Sequence, residues 1–136
     1  MGRLMAIDYG KKRTGIAVSD PERIIATGLC TVETPKLMQW LKDYFSREAV
    51  DVIVVGEPKH MDNTPSESAQ LIEPFVKKLT ELFPDKTIER EDERFTSKIA
   101  FQSMIDSGLK KKKRQDKALI DTVAATVILQ SYMQRI

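Results

Sequence analysis

The amino-acid sequence predicts an α/β fold in which helices flank a five-stranded mixed sheet, made of a three-stranded antiparallel meander plus two parallel strands. Three observations predict it. Short apolar runs with brief links occupy the first part of the chain, which is typical of a meander. The apolar spacing then becomes helical, and a mostly β-branched run at 50–55 indicates a strand covered on both faces. Helical and strand-like segments alternate after it.

The meander is predicted from three strands, Leu4–Tyr9, Gly15–Ser19 and Ile24–Val32. Their links, 10–14 and 20–22, contain glycine or proline, which favour turns. Short links between consecutive strands require antiparallel pairing, so these three strands should lie side by side.

Thr34 is predicted to cap the first helix, with Pro35 at its first helical position. The apolar residues of this helix recur at helical spacing and are Leu37, Trp40, Leu41, Tyr44 and Phe45. The strand Val50–Val55 follows, and its β-branched composition indicates a central position in the sheet.

A second helix is predicted to begin at the capping box Thr64–Glu67. Its buried face is predicted from the apolar residues Ile72, Phe75, Val76, Leu79 and Phe83. Pro74 lies inside this helix and is expected to kink or divide it, because proline cannot donate a backbone hydrogen bond. The remaining elements are predicted in chain order: a weaker strand at Lys86–Glu91, a short helix from Thr96 to Gly108, and a final helix from Asp116 to about Met133.

This element order resembles that of the ribonuclease H-like fold. Strands added through helical crossovers normally lie parallel beside the first strand, because such crossovers are right-handed. We expect residues 1–136 to form a single domain of this ribonuclease H-like fold.

Composition excludes several classes of protein. The chain carries 22 Lys and Arg against 20 Asp and Glu, and 41% of its residues are hydrophobic, which excludes a disordered chain. The single cysteine, Cys30, excludes an intramolecular disulfide and a zinc site built from cysteines. No secretory signal and no apolar run long enough for a membrane span is present. We therefore expect a cytoplasmic protein with no membrane partner.

Two carboxylates stand in apolar segments. Asp8 lies within a predicted strand, where a carboxylate pays a desolvation penalty unless backbone N–H groups or a divalent cation compensate it. Asp121 shares a predicted helix face with Ala124, Ala125 and Ile128, and the small alanines let that face approach the sheet closely. Asp121 could instead cap the helix, although Asp116 suits that position better.

A third carboxylate is expected from the segment Glu91–Arg94, just past the last strand, and Glu57 is a second-rank candidate at the end of the central strand. Carboxylates that converge repel one another unless a cation neutralises them. Two hard cations roughly 3.5–4 Å apart would activate water and stabilise the leaving oxygen of a phosphodiester.

Basic residues form two groups. Lys11, Lys12 and Arg13 directly follow Asp8-Tyr9-Gly10, where they form either an exposed hairpin tip or a grip for phosphates. A second group, with a local net charge of +5 after Asp116 is counted, comprises Lys110, Lys111, Lys112, Lys113, Arg114 and Lys117. It is either a solvated loop or a contact for an anionic partner. Tyr9 and Phe95 would either stack on bases or pack at the rim of the core.

Four stretches carry a family resemblance: residues 7–20 (IDYGKKRTGIAVSD), 55–58 with 61–62, 92–97 (DERFTS), and Asp121 with 124–125 and 128–132. Together they resemble the YqgF-like family, also described as Holliday-junction-resolvase-like proteins and pre-16S rRNA nucleases. The resemblance spans essentially the whole chain. It implies a ribonuclease H-like fold, metal-dependent cleavage of nucleic acid, and a role in maturing the 5′ end of 16S rRNA in the bacterial cytoplasm.

The resemblance also implies roles for residues. The acidic positions of the family, which would be catalytic and hold two Mg²⁺ or Mn²⁺ ions, fall on Asp8, Glu93 and Asp121. Glu57 and Asp92 stay second-rank candidates, and the family usually has an apolar residue where Glu57 stands. Arg94 and the two basic groups would contact nucleic acid.

Several functions stay open at this point. The leading hypothesis is an endonuclease acting on structured RNA, with pre-16S rRNA and ribosomal particles as partners. A variant would cut four-way DNA junctions and would require two sites, so both a monomer and a homodimer are open. Residues 8–11 also resemble the first phosphate loop of actin-like ATPases, which require two such subdomains. The last hypothesis is a non-catalytic RNA-binding assembly factor.

Neutralising residues 110–114 to glutamine should weaken RNA binding. It should also flatten the dependence of binding on salt, by about 0.7 in the log–log slope for each phosphate that the protein no longer neutralises. Binding isotherms of labelled RNA at several salt concentrations measure both effects. A control that exchanges lysine and arginine among the same positions keeps the charge and should bind like the wild type. An unchanged affinity and slope in the neutralised variant would identify this segment as solvated surface.

Overall fold

A five-stranded mixed sheet forms the centre of the computed structural model, which describes residues 2–57, 67–92 and 117–135, and the side chains within 2–56, 72–91 and 122–134. The strands are β1 (Arg3–Asp8), β2 (Arg13–Ser19), β3 (Ala26–Glu33), β4 (Val50–Glu57) and β5 (Thr87–Asp92). They lie in the order β3-β2-β1-β4-β5, with β1, β4 and β5 parallel to one another and β1–β2–β3 antiparallel. This confirms the predicted meander with two added parallel strands.

The helices of the described residues are α1 (Leu37–Arg47), α2 (Glu67–Leu82) and α3 (Lys117–Arg135), and a 3-10 turn, Thr34–Lys36, precedes α1. None of them combines the length and hydropathy needed to cross a membrane. The predicted capping box at 64–67 and the predicted helix from Thr96 to Gly108 lie outside the residues that are described, apart from Glu67 at the start of α2.

The central strand β1 is covered on both faces, and residues 4–7 are fully buried. Met5 and Ile7 pack into a cluster with α1 and α2, whereas Leu4 and Ala6 pack into a second cluster with α3. This division follows from the alternation of side chains along a strand. It explains why β1 reads as a continuous apolar run in the sequence.

The faces of α1 and α2 that the apolar spacing predicts are the ones that cover the sheet. The cluster they form with β1, β2 and β4 includes six buried helix residues: Leu37, Leu41, Tyr44, Ile72, Phe75 and Leu79. Burial of such side chains contributes roughly 1.5–3 kcal/mol each, so this cluster is a main source of stability.

Pro74 does not divide α2, which runs as one helix from Glu67 to Leu82. A proline inside a helix costs about 3 kcal/mol through a lost hydrogen bond and a steric clash. Its neighbours Ile72 and Phe75 are buried against the sheet, and this packing offsets the local cost. Of the two expected outcomes, division of the helix is wrong, because tertiary packing outweighs a local preference, and a kink stays a prediction.

The opposite face of the sheet is covered by α3. Ala125 is fully buried among Leu4, Ala6 and Val54, and alanine side chains let a helix lie close to a sheet. The prediction that small residues on this helix face approach the first strand is confirmed.

The first residue of β3 is Ala26, two residues later than predicted. The carboxylate of Asp20 accepts hydrogen bonds from the backbone N–H groups of Ile24 (2.7 Å) and Ile25 (2.8 Å). Those N–H groups are therefore not available for hydrogen bonds between strands. The same bonds lower the pKa of the Asp20 carboxyl, and the bond from Ile25 contributes most. A local turn competes here with strand pairing.

Thr34 does not cap α1, contrary to the prediction. Its hydroxyl donates to the carbonyl of Gly10 at 2.6 Å, and its backbone N–H donates to the carbonyl of Lys12 at 3.0 Å. No side chain caps the 3-10 turn or α1. The threonine instead ties the turn between β1 and β2, residues 9–12, to the start of α1.

Replacing Gly10 by alanine should destabilise the protein by about 1–3 kcal/mol. A Cβ atom at this position would collide with the backbone carbonyl oxygen of Arg13, and a backbone atom cannot move aside as a flexible side chain can. Urea unfolding of Gly10→Ala beside Lys11→Ala, an exposed position in the same turn, measures the difference. Equal unfolding midpoints in the two variants would contradict this account of the turn.

Candidate active site

Acidic residues end all three parallel strands. Asp8 is the last residue of β1, Glu57 of β4 and Asp92 of β5. The register aligns these ends, because Ile7 pairs with Val55 and Glu57 pairs with Asp92. The carboxyl edge of the parallel strands therefore gathers acidic positions, at the edge where α/β sheets commonly bind ligands.

One row of residues crosses the whole sheet at Asp8. On one side, Asp8 pairs with Gly15, and Gly15 pairs with Thr31. On the other side, Ile7 pairs with Val55, so the residues that follow them, Asp8 and Gly56, lie side by side. Gly56 in turn pairs with Glu91. The row is Thr31, Gly15, Asp8, Gly56 and Glu91. We refer to it as the Asp8 row.

The Asp8 row faces α3. Alternation along β1 places Asp8 on the side of Leu4 and Ala6, which pack against α3. Arg90 and Glu91 are consecutive in β5 and therefore point to opposite faces of the sheet. The guanidinium of Arg90 donates to Glu73 of α2 at 2.9 Å, so Glu91 lies on the face of α3. Since the positions that flank Asp8 in the row are glycines, neither adjacent strand adds a side chain beside its carboxylate.

Glu91 belongs to the segment Glu91–Arg94 from which a third carboxylate is expected, but sequence reasoning did not select it as a site residue. It is buried within β5, with 9% of its surface exposed, whereas the sequence analysis places the segment that begins at Glu91 just past the last strand. The alternation of side chains along the strand could have revealed this burial. Ile88 packs against the cluster of α1 and α2, so Glu91, three residues later, faces the opposite side of the sheet. With adjacent strands about 4.8 Å apart, Asp8 and Glu91 have Cα atoms roughly 10 Å apart.

The beginning of α3 lies at the level of the Asp8 row. The hydroxyls of Thr122 and Thr31 are hydrogen-bonded at 2.7 Å. A Cβ atom on Gly28 would lie 2.7 Å from Cγ2 of Thr122, so β3 and α3 approach closely here. Position 121, next to Thr122, is thereby brought to the same end of the sheet as Asp8.

The other predicted site residues are only partly described. Glu93, Arg94, Phe95 and the basic residues 110–114 lie outside the described residues, and the side chains of Glu57, Asp92, Lys117 and Asp121 lie outside them as well. Among the side chains that are described, no three acidic, histidine or cysteine groups are close enough to hold a metal ion. The ligand set Asp8, Glu93 and Asp121 therefore stays a prediction.

The first basic group lies at this edge of the sheet. Lys11 and Lys12 are exposed in the turn directly after β1, and Arg13 begins β2. Thr34 holds this turn through the carbonyls of Gly10 and Lys12. Positive charge is thus fixed within a few residues of Asp8, as a phosphate contact requires.

Tyr9 packs on the other face of the sheet. Its ring stacks on Phe75 of α2, with centroids 4.5 Å apart and an angle of 23° between the planes. Tyr9 is half-buried beside the cluster of α1 and α2. Packing at the rim of the core, one of the two roles considered for Tyr9, is confirmed, and base stacking stays a prediction.

Comparison with known proteins places the chain among nucleic-acid enzymes. Residues 2–135 match the family described as RuvX: Holliday junction resolvase. A protein of Christiangramia forsetii is 57% identical over 98% of both chains, and one of Flavobacterium psychrophilum is 56% identical over 99% of this chain and 98% of its own. Both carry the name "Putative pre-16S rRNA nuclease".

A solved structure shares the fold. The fowlpox virus resolvase, determined in complex with a Holliday junction DNA substrate, superposes with a TM-score of 0.59 and 10% sequence identity, over 98% of this chain and 97% of that one. At this identity the likeness concerns the fold, and it supports the ribonuclease H-like architecture expected from the element order.

Replacing Ala125 by leucine should move α3 away from β1 and cost about 1–3 kcal/mol of stability, because the position is fully buried against the sheet. If Asp121 acts together with Asp8, cleavage of nucleic acid should fall as well. Gln130→Leu, on the exposed side of α3, is the control. Urea unfolding and cleavage rates of folded protein test both effects, and an unimpaired rate in a destabilised Ala125→Leu protein would contradict the link to the site.

Proposed function

The chain belongs to the family described as RuvX: Holliday junction resolvase, and on that premise we propose that it is an endonuclease that cuts structured RNA during the processing of pre-16S rRNA. Its relatives are named as nucleases, and the chain is accordingly a hydrolase of phosphodiester bonds. The observation that carries the proposal is the edge where three parallel strands end in acids beside a basic turn. We place this activity in the bacterial cytoplasm, with ribosomal particles as partners.

The donor set at this edge fits a hard divalent cation. Carboxylate oxygens are the ligands that Mg²⁺ and Mn²⁺ prefer, and Asp8, Glu93 and Asp121 are proposed to hold two such ions, with Glu57 and Asp92 as further candidates. Glu91 joins this group because it is buried in the Asp8 row. When bound, the cations would activate water and stabilise the leaving oxygen of the phosphodiester.

The protein's own residues orient the substrate. Lys11 and Lys12 are exposed next to the acidic edge and would hold phosphates of the nucleic-acid backbone. Asp8 stands between two glycines in its row, so neither adjacent strand places a side chain next to the carboxylate that the substrate phosphate would approach. Arg13, Arg94 and the basic group at 110–117 would extend the contact along the strand.

A second candidate function is cleavage of four-way DNA junctions, which the description of the family favours. Such a junction is cut at two symmetric positions, so this activity would require two copies of the site. A third outcome, RNA binding without cleavage, would identify an assembly factor. One experiment separates the three.

Labelled structured RNA and a four-way DNA junction are incubated with purified protein in Mn²⁺ or in EDTA. We expect cleavage of the RNA in Mn²⁺ and none in EDTA, because the carboxylates cannot neutralise the reacting phosphate without a cation. Preference for the junction would favour the second candidate. Tight binding with no cleavage of either substrate would favour the assembly factor and contradict the proposal.

Asp8→Asn should abolish cleavage and leave the fold intact, and Asp121→Asn should do the same. Asparagine keeps the size of the side chain but removes the charge that a cation requires. Asp85→Asn, at an exposed aspartate in the turn before β5, is the control and should cleave normally. Cleavage at the wild-type rate by either site variant would overturn the site assignment.

Metal binding is measured independently by thermal unfolding. A cation at one hundred times its dissociation constant stabilises a folded protein by about 2.7 kcal/mol, so Mn²⁺ should raise the Tm of the wild type. The rise should be much smaller for Asp8→Asn and unchanged for Asp85→Asn. Equal rises in all three proteins would place the cation elsewhere.

A further inference from the structure

We propose that a cavity beside Tyr9 binds an unpaired nucleobase of the substrate, next to the phosphate that is cut. The inference rests on the proposed function, since it assumes a nucleic-acid strand at the acidic edge. The cavity has a volume of about 400 Å³ and opens between the start of α1 and the middle of α2. A volume of this order falls within the range of small-molecule sites.

The walls of the cavity suit a flat, apolar ring. They include the stacked rings of Tyr9 and Phe75, whose centroids lie 4.5 Å apart, and the rings of Pro35 and Pro74. Met38 adds a flexible apolar side chain, and methionine adapts well to the faces of aromatic rings. Proteins that bind single-stranded nucleic acid stack the bases on such surfaces, and this stacking does not depend on the base sequence.

The charge at the cavity mouth suits a phosphate backbone. Lys78 lines the cavity, is exposed, and follows Phe75 by one helical turn. Lys11 and Lys12 are exposed in the turn that also contains Tyr9. A base inside the cavity would therefore leave its own phosphates beside positive side chains, which is the complementarity that a nucleotide requires.

The position of the cavity relative to Asp8 determines which nucleotide of the substrate reaches it. Asp8 and Tyr9 are consecutive, with Cα atoms about 3.8 Å apart, yet Asp8 faces α3 and Tyr9 packs towards α2. A strand that crosses the edge with one phosphate at Asp8 can turn a neighbouring base into the cavity. A base stacked and paired in a duplex cannot do so without leaving the helix.

The cavity exists before any ligand binds. Thr34 lines it and also donates to the carbonyl of Gly10 at 2.6 Å, and its hydroxyl lies 3.0 Å from that of Thr14. These bonds hold the turn after Tyr9 against the start of α1. A preformed cavity avoids the loss of affinity that ordering a loop would cause. We infer a preference for loops, bulges and branch points, where the nucleotide beside the cut is unpaired.

The test fills the cavity without touching the acids. Met38→Trp places a large ring in the cavity, and Gln39→Trp adds the same ring at the next, exposed position of α1. Both are made on Asp8→Asn, so that binding is measured without cleavage. The ligands are an RNA hairpin with 2-aminopurine at a single loop position, scanned along the loop, and a fully paired duplex of equal length.

We expect a change of 2-aminopurine fluorescence at one loop position in Asp8→Asn alone and with Gln39→Trp, and its loss with Met38→Trp. Affinity for the hairpin should fall about tenfold in the filled protein, the size of effect that losing one stacked base produces, and affinity for the duplex should not change. Lys78→Ala should also weaken hairpin binding more than Lys77→Ala, its exposed neighbour outside the cavity. The comparison of Lys78→Ala with Lys77→Ala tests the proposal even if Met38→Trp does not fold.

Equal hairpin binding by the Met38→Trp and Gln39→Trp proteins would overturn the proposal, as would an equal loss for hairpin and duplex. A change of oligomeric state in Met38→Trp with unaltered hairpin binding would show that a second copy of the chain occupies the cavity. Because these measurements do not depend on cleavage, they can support the cavity even if the proposed nuclease activity fails. Conversely, cleavage by the wild type together with no fluorescence signal from a base in the cavity would support the nuclease activity and contradict the cavity proposal.

Discussion

The parallel pairing of β1 with β4 is the interaction on which the rest of this structure depends. It aligns Ile7 with Val55, and β5 continues in the same direction. Because parallel strands end at the same edge, Asp8 and the acidic ends of β4 and β5 come together, whereas an antiparallel β4 would carry its last residue to the far edge. Parallel pairing also requires crossover helices, and α1 precedes β4 and α2 precedes β5 for this reason.

The two faces of the sheet have different roles at that edge. The face under α3 carries the Asp8 row, in which glycines occupy the positions on both sides of Asp8. The face under α1 and α2 carries Tyr9, Phe75 and the cavity beside them. The proposed chemistry and the proposed recognition are therefore adjacent along β1 but separated by the sheet. A substrate must cross the edge to use both.

Rigidity at the edge comes from the position of Thr34. Its side chain and backbone bind the carbonyls of the turn after β1, so the exposed Lys11 and Lys12 stand on a backbone that is held in place. A site is more effective when rigid elements hold its groups in position. In this molecule the same threonine stabilises the proposed phosphate contact and one wall of the cavity.

Much of the fold was predictable from the sequence, because apolar spacing identifies strands and helices locally. The meander, the two later strands, the covered faces of α1 and α2, and the close approach of α3 through Ala125 were all anticipated. Tertiary structure alone decided the bonds of Thr34, the continuity of α2 through Pro74, the burial of Glu91 and the stacking of Tyr9 on Phe75. Each of these depends on strand register or on contacts between distant segments. A shift of one residue in register exchanges the faces of a strand, and no local pattern records which distant partner a side chain meets.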